Sequence, residues 1–352
     1  MSSALSGRRL SSRFALVLAA AALLTTGVAS CRGCGSERGG SRPLGGRLSL
    51  FPAQTTVVAS IDFAKLRSTP LAAKLAQLAV DSQSDQREIE TFTKRTGLDP
   101  LKQVESLVLA FPEEARREGE FGMVLRASVM DETRLIAYTR DQLQKSGDDL
   151  VATARGHRTL WWRRSNPEVA GFFIDDHTFV LGAGGWAARM ADLSEGGPPS
   201  GSAETNVDLV RLCERAAGGH AVWAAALVPG ETRRMLQAEP RFKSAASVTR
   251  MAAGLDVSKG LDAVIMADLA NSDDAVALAG QVTQSLRDAK KNAEILMLGL
   301  GPYLEGVSTK GVGSTFEVRV ALTEPQVGDL LDRAAAYLKL AREGSVPGFR
   351  GR

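Results

Sequence analysis

The feature of the sequence that most constrains its fold is a short motif that occurs twice. Gly97–Lys102 reads Gly-Leu-Asp-Pro-Leu-Lys, and Gly254–Lys259 reads Gly-Leu-Asp-Val-Ser-Lys. An apolar run follows each copy, and the same order of strand, helices, turn, strand, helix and hairpin surrounds both. The pattern predicts an α+β protein of two related lobes that arose from a diverged internal repeat, each with an antiparallel or mixed sheet packed with helices.

The boundary between the lobes is predicted in the internal segment that is densest in Gly, Pro and Ser, residues 194–205. The first lobe then covers residues 48–193 and the second covers residues 206–343, followed by a tail at 344–352. A chain of 352 residues with 44% hydrophobic residues is long enough to bury the cores of two domains.

Periodicity predicts the individual elements. In the first lobe we expect strands at 55–62, 104–111, 121–128, 151–154, 159–163, 169–174 and 178–181, with helices starting at 68 and at 84–96, 131–145 and 186–193. In the second lobe we expect helices at 206–217, 273–298 and 324–342, a helical region at 231–253, and strands at 221–228, 261–269, 304–309 and 315–322. Thr323 and Gln326 fit a capping box for the last helix.

The first thirty residues have the three parts of a secretory signal peptide. Arg8, Arg9 and Arg13 precede an apolar run from Phe14 to Leu24, and small residues follow it. The run is shorter than the roughly 20 apolar residues that a helix needs to cross a bilayer. Residues 1–30 are therefore predicted to be removed.

Val28-Ala29-Ser30-Cys31 resembles the lipobox of bacterial lipoproteins, in which an aliphatic residue and two small residues precede a cysteine that becomes diacylated and N-terminal. The resemblance implies a lipid anchor at Cys31, stably held because each buried methylene of an acyl chain contributes about 0.8 kcal/mol. One alternative is ordinary signal-peptide cleavage without lipidation. Another is export by the twin-arginine route, which Arg8-Arg9 could indicate. In this family an Asp after the cysteine favours the inner membrane. Arg32 stands there instead, which implies the outer membrane.

The anchor is followed by a Gly-rich polar segment, residues 31–47, which is predicted to be a flexible tether. Cys31 and Cys34 have C-x-x-C spacing, but their place in the tether argues against a redox role. Cys213 falls within an apolar helical pattern and is interpreted as a buried thiol. A disulfide between Cys34 and Cys213 is the alternative.

The charge of the chain argues against nucleic acid as a partner. Residues 1–30 hold three of the 43 basic residues and none of the 40 acidic ones, so the mature chain carries 40 of each. A nucleic-acid interface requires clustered Lys and Arg on one face. The expected partners are the membrane, which the lipid anchor binds, and another envelope protein.

The histidines and glycines suggest no catalytic, metal or cofactor site. His157, His177 and His220 are isolated, without a ligand-spaced partner. Asp175-Asp176-His177 lies between two predicted strands and is interpreted as a hairpin turn. Gly182–Gly185 follows a strand and precedes a helix, but it lacks the spacing of a phosphate-binding fingerprint and is interpreted as a turn.

Two adjacent tryptophans, Trp161 and Trp162, should point to opposite faces of a strand, one into the core and one toward solvent. An exposed Trp beside Arg163 and Arg164 could serve a binding surface, although single exposed aromatic residues are common.

The segment Val57–Leu71 resembles that of uncharacterised bacterial envelope proteins, and the resemblance implies no activity. We expect a non-enzymatic, lipid-anchored envelope protein that acts as a scaffold or docking protein. The first alternative is a periplasm-facing binding module for a small or lipidic ligand, bound between the lobes or beneath the 273–298 helix. The second is an enzyme whose site places His177 or His220 beside carboxylates.

Overall fold

The computed structural model describes residues 48–72, 83–112, 119–231, 233–234, 245–297 and 299–342. Within these ranges the strands are β1 (Thr55–Asp62), β2 (Val104–Pro112), β3 (Phe121–Ala127), β4 (Leu150–Arg155), β5 (Arg158–Arg163), β6 (Asn166–Asp175), β7 (Thr178–Ala183), β8 (Val222–Leu227), β9 (Arg250–Asp256), β10 (Leu261–Asp268), β11 (Val307–Val312) and β12 (Thr315–Leu322). The helices are α1 (Phe63–Arg67), α2 (Gln83–Thr96), α3 (Pro100–Gln103), α4 (Glu132–Lys145), α5 (Trp186–Ser194), α6 (Val207–Ala217), α7 (Ser272–Lys291), α8 (Ala293–Met297), α9 (Gly301–Leu304) and α10 (Glu324–Arg342). The predicted combination of helices with an antiparallel sheet is confirmed.

The strands form one sheet in the order β11-β12-β10-β9-β8-β1-β2-β3-β7-β6-β5-β4. The two halves of the chain meet at the antiparallel pair of β1 with β8, in which Ala59 lies opposite Ala224. The sheet therefore runs unbroken through both predicted lobes, whereas the sequence predicts one sheet in each. The order of the nearest four strands is mirrored about this pair, with β2, β3, β7 and β6 on one side and β9, β10, β12 and β11 on the other, while β5 and β4 extend the first side without a counterpart.

The two copies of the Gly-Leu-Asp motif have different conformations. Gly97 ends α2 with φ +79°, and the Asp99 carboxylate caps α3 by accepting from the Leu101 amide at 3.0 Å. Gly254 instead lies within β9, paired with Trp223 of β8 and with Val264 of β10. The strands that follow the motifs, β2 and β10, also occupy different places in the mirrored order.

The predicted helical region at 231–253 is wrong at its C-terminal end, where Arg250–Asp256 is strand β9. Met251, Ala252 and Ala253 are good helix formers, but their backbone groups pair with β8 on one side and β10 on the other. Tertiary pairing therefore overrides the local preference in this segment.

Most predicted helix starts are confirmed, with the capping side chains in place. The Asn206 side chain accepts from the Leu209 amide at 3.1 Å, and the Asn271 side chain accepts from the Asp274 amide at 2.8 Å. Helix α1, capped by Asp62, was not predicted. At the start of α10 the Thr323 amide donates to the Gln326 side chain at 2.9 Å, as in a capping box.

Two predicted elements of the second half have different bounds in the structure. The helix predicted to reach residue 298 ends at Lys291, because Asn292 adopts an extended conformation before α8 begins. The hairpin is confirmed, but its first strand begins at Val307 and not at Leu304, which ends α9.

Residues 194–205, predicted as the linker, pack closely against the start of the first half. Ser202 forms a β-bridge with Pro52, and the Ala203 amide donates to the Phe51 carbonyl at 2.7 Å. Ser202 and Ala203 are both buried. The segment thus connects the halves while it contributes to the packing.

One side of the sheet, which we call the covered face, supports α5 and α6. Trp186 and Met190 of α5 and Leu209 of α6 are fully buried there, against strand residues such as Val58 and Phe172. Burial of each large apolar side chain contributes about 1.5–3 kcal/mol. This side holds the largest core cluster of the described residues.

Helix α5 lies on a pair of glycines. Gly122 of β3 and Gly182 of β7 are directly opposite each other. A methyl group on Gly182 would lie 2.4 Å from the Ala187 amide nitrogen of α5, and one on Gly122 would lie 2.8 Å from the Met190 sulfur. Only glycine lets the helix approach the sheet this closely.

Candidate binding surface on the open face of the sheet

The side of the sheet opposite the covered face carries rows of apolar side chains across its central strands. Alternation along each strand and the pairing of neighbouring strands bring these side chains together. The rows are Phe111-Val57-Ala226-Met251, Leu109-Ala59-Ala224-Ala253-Ile265 and Leu107-Ile61-Val222-Leu255-Ala263. We call these fourteen residues the open face, and none of them is charged or polar.

Three large members of the open face are exposed. Phe111 is 38% exposed, Met251 is 42% exposed and Ile265 is 46% exposed. They lie on three different strands, β2, β9 and β10, in the middle of the sheet. Contiguous exposed apolar surface of this kind is typical of sites that bind a protein, a membrane or an apolar ligand.

The middle row of the open face has its smallest side chains at the centre, and we call this part the groove. Its floor consists of three alanines, Ala59, Ala224 and Ala253, and the larger side chains of Leu109 and Ile265 stand on either side. These two residues lie on strands four spacings apart, a distance of about 19 Å at roughly 4.8 Å per strand. A helix with its side chains is about 10–12 Å wide, which is less than this distance.

The described helices on this side of the sheet pack at the margins of the open face. Phe63 and Leu66, from α1, contact the apolar cluster around Leu107. Ala275 of α7 packs against Phe316 of β12 at one end of the sheet. At the other end Leu135 of α4 packs near Phe173 and Phe179.

The three histidines lie in separate turns. His157 is between β4 and β5, His177 is between β6 and β7, and the ring of His220 lies against Gly254 of β9. Five strand spacings separate β9 from β7, so His177 and His220 are on the order of 20 Å apart. In the part of the chain that the structure describes, no group of three His, Cys, Asp or Glu side chains could hold a metal ion.

Asp175-Asp176-His177 forms the hairpin turn predicted for it. The Asp175 carboxylate accepts from the His177 amide at 2.9 Å, which is an Asx turn. The Asp176 carboxylate lies 3.3 Å from His177 Nε2. The turn also holds β3 in place, because the Ala127 amide donates to the His177 carbonyl at 3.0 Å.

The glycines and tryptophans that the sequence singled out also have structural roles. Gly184 and Gly185 have positive φ and form the turn from β7 into α5. Trp161 donates to Glu132 at 3.2 Å on the side of α4, while Trp162 donates to Thr153 at 3.0 Å and packs against the core of the covered face. Both tryptophans are half-buried, so neither is an exposed binding residue.

Cys213 is a free, fully buried thiol on α6, as its apolar surroundings in the sequence predict. Burial raises its pKa to about 12, with a smaller contribution from the neighbouring Glu214 carboxylate. Cys31 and Cys34 lie outside the described residues. Among the residues that the structure describes, no helix has both the length and the apolar character needed to cross a membrane.

Comparisons with known proteins identify no family. No protein-family model matches the sequence, and no curated protein matches it. A solved structure titled "Structure of crystal form I of TP0453" is similar with a TM-score of 0.40 and 11% sequence identity, over 85% of this chain and 99% of that chain.

Proposed function

We propose that this chain is a lipid-anchored bacterial envelope protein, held at the outer membrane through Cys31, and that it is a non-catalytic docking protein for another envelope protein. The observation that carries the docking role is the exposure of Phe111, Met251 and Ile265 in the middle of the sheet. The resemblance of Val28–Cys31 to a lipobox supports the anchor.

The chemistry of the open face supports an amphipathic helix as the part of the partner that binds. Three small residues in its middle row, Ala59, Ala224 and Ala253, let a helix approach the sheet, and Leu109 and Ile265 would contact the sides of that helix. An apolar helix face laid into an apolar groove is a common mode of recognition. The absence of charge on these fourteen residues argues against nucleic acid.

We also propose that the two halves are related by duplication. The mirrored strand order supports an alignment of β1 with β8, β2 with β9, β3 with β10 and β7 with β12, and of α4 with α7. This alignment replaces the one based on the Gly-Leu-Asp motif. The two lobes of the sequence prediction, 48–193 and 206–343, are then the two copies.

The docking role can be tested by photo-crosslinking in intact cells. The full-length protein would carry p-benzoylphenylalanine at Met251 or Ile265, with Val276 on the exposed side of α7 as the control position. We expect both test positions to crosslink to the same envelope protein and Val276 not to do so. A bulky residue in the groove floor, Ala224→Trp, should abolish the crosslink at Met251.

The other outcomes separate the alternatives. Adducts of lipid mass at Met251 and Ile265 would support the binding module for a small or lipidic ligand instead. Equal crosslinking at all three positions, or none at either test position, would contradict docking on the open face. The intact mass of the same protein tests the anchor, because we expect a chain that begins at acylated Cys31 and a C31A variant that leaves the membrane fraction.

A further inference from the structure

The two edges of the sheet, β11 and β4, differ in what lies beside them. Helix α7 packs against β11, where the hydroxyls of Thr283 and Thr309 form a hydrogen bond at 2.6 Å. On β4 the four consecutive residues 152–155 are all exposed. An edge strand that nothing covers is a template for pairing with another strand, whereas a helix laid against an edge prevents it. The β4 edge is therefore the one available for pairing.

The pairing of β4 with β5 determines which backbone groups of β4 point outward. The Arg164 amide donates to the Asp149 carbonyl at 3.0 Å. Because hydrogen-bonded pairs alternate along an antiparallel ladder, the odd-numbered residues of β4 direct their backbone groups toward β5. The N–H and C=O groups of Leu150, Ala152 and Ala154 therefore point away from the sheet. Within the described residues, only the Leu150 N–H of these six groups has a partner, the Asp149 carboxylate at 2.9 Å.

The sequence of β4 contains little that would keep a second strand away. Its six residues, Leu150–Arg155, include no proline, and its register with β5 continues without a bulge. Its one charged residue, Arg155, is at the end of the strand and donates to Asp192 of α5 at 2.8 and 2.6 Å. Prolines, bulges and charges in the middle of a strand are the usual means of protecting an edge. A flat edge such as β4 can be approached closely.

We propose that β4 pairs antiparallel with β4 of a second copy of this chain, about a two-fold axis that passes between the two Ala152 residues. This register places Leu150 of each copy opposite Ala154 of the other, so that the outward groups of all three residues form hydrogen bonds. It also places Arg155 of one copy opposite Asp149 of the other, which is favourable for opposite charges. Moving the axis by one residue in either direction loses this charge pairing, so the charges select the register.

The two charged residues can form these contacts and keep the partners they have within one chain. Arg155 pairs with Asp192, and Asp149 pairs with Arg164 at 3.1 Å, both at exposed positions. A guanidinium has five N–H donors and a carboxylate has two acceptor oxygens, so each group can serve a second partner. Exposed ion pairs also contribute little to stability, so their rearrangement costs the fold little.

Disulfide formation tests the register in the mature chain with C31S and C34S, whose remaining cysteine, Cys213, is buried. Ala152→Cys should give a disulfide-linked dimer on mild oxidation, because hydrogen-bonded residues of antiparallel strands have Cα atoms about 5.5 Å apart, within disulfide range. Ala154→Cys is the matched control, since the same residue of the second copy lies four positions along the strand, about 13 Å away. No crosslink for A152C, or equal crosslinking of A154C, would overturn the proposal.

Sedimentation of the same C31S and C34S chain measures the pairing without a crosslink, and we expect a monomer–dimer equilibrium. Ala152→Pro removes an N–H that does not bond to β5, so the monomer should keep its melting temperature. Both hydrogen bonds at the axis are lost, so the dimer should dissociate roughly 10-fold or more readily. The disulfide scan decides the question if A152P lowers the melting temperature.

Three results of the sedimentation experiment would overturn the proposal. One is a chain that stays monomeric at every concentration, and another is a dimer that A152P leaves intact while its melting temperature is unchanged. The third is a dimer that Ala224→Trp abolishes and A152P does not, because that dimer would form through the open face.

Discussion

The covered face and the open face are built from the same strands, and yet they differ in what lies on them. On the covered face Phe172, Trp186 and Met190 are fully buried beneath or within the protein's own helices. On the open face Phe111, Met251 and Ile265 remain exposed. Alternation along a strand therefore lets one set of residues stabilise the fold while members of the next set remain exposed.

The small residues on the two faces strengthen this comparison. On the covered face Gly122 and Gly182 form a floor that the chain's own helix α5 occupies. On the open face Ala59 and Ala224 form a similar floor in the middle of the sheet. In the docking mode that we propose, a partner helix would lie on these alanines as α5 lies on its glycines.

The largest difference between the faces is expected for the loss of a phenylalanine. Phe172→Ala on the covered face should lower the free energy of unfolding by about 3–5 kcal/mol, because it leaves a cavity beneath the helices. Phe111→Ala on the open face should lower it by about 1 kcal/mol or less. Urea unfolding measures both values, and equal losses would show that the open face is part of the core.

A smaller difference is expected for the addition of a methyl group. Gly182→Ala should cost about 1–3 kcal/mol, because its methyl group would meet backbone atoms of α5 that cannot move aside. Ala224→Val on the open face should change the free energy of unfolding by about 0.5 kcal/mol or less. A large loss for A224V would mean that another segment of the chain already packs on this floor.

The smallest effect on stability is expected for thiols placed on the two faces. In a chain with C31S and C34S, Met251→Cys should leave the unfolding midpoint nearly unchanged and react readily with a thiol reagent at pH 8. Cys213, with its pKa raised to about 12, should react about 10³-fold or more slowly until the protein unfolds. Equally fast labelling of both thiols would show that α6 does not protect the covered face.

Local signals in the sequence predicted much of the fold. The apolar spacing of Leu209, Leu212 and Cys213 correctly indicated the buried side of α6, and Thr323 with Gln326 correctly indicated the start of α10. These features depend on neighbours within one or two helical turns, so the local sequence is enough to predict them. Strand β9 was missed because its identity depends on pairing with β8 and β10.

The open face could not be predicted because it depends on register between distant strands. Phe111, Met251 and Ile265 become neighbours only when β2, β1, β8, β9 and β10 are placed in order. The signal available in the sequence was the continuous apolar run Leu107–Phe111, which is typical of a strand that is apolar on both faces.

The pairing of β1 with β8 has a consequence for how the chain reaches its native state. Until β8 has been synthesised, β1 is an unpaired edge in the middle of the future sheet, and such edges associate readily with other chains. Contacts this distant in sequence raise the contact order and slow folding. If the chain were divided near residue 205, one fragment would expose the edge of β1 and the other the edge of β8. These two edges pair in the native sheet, so we expect the fragments to reassemble into the whole protein.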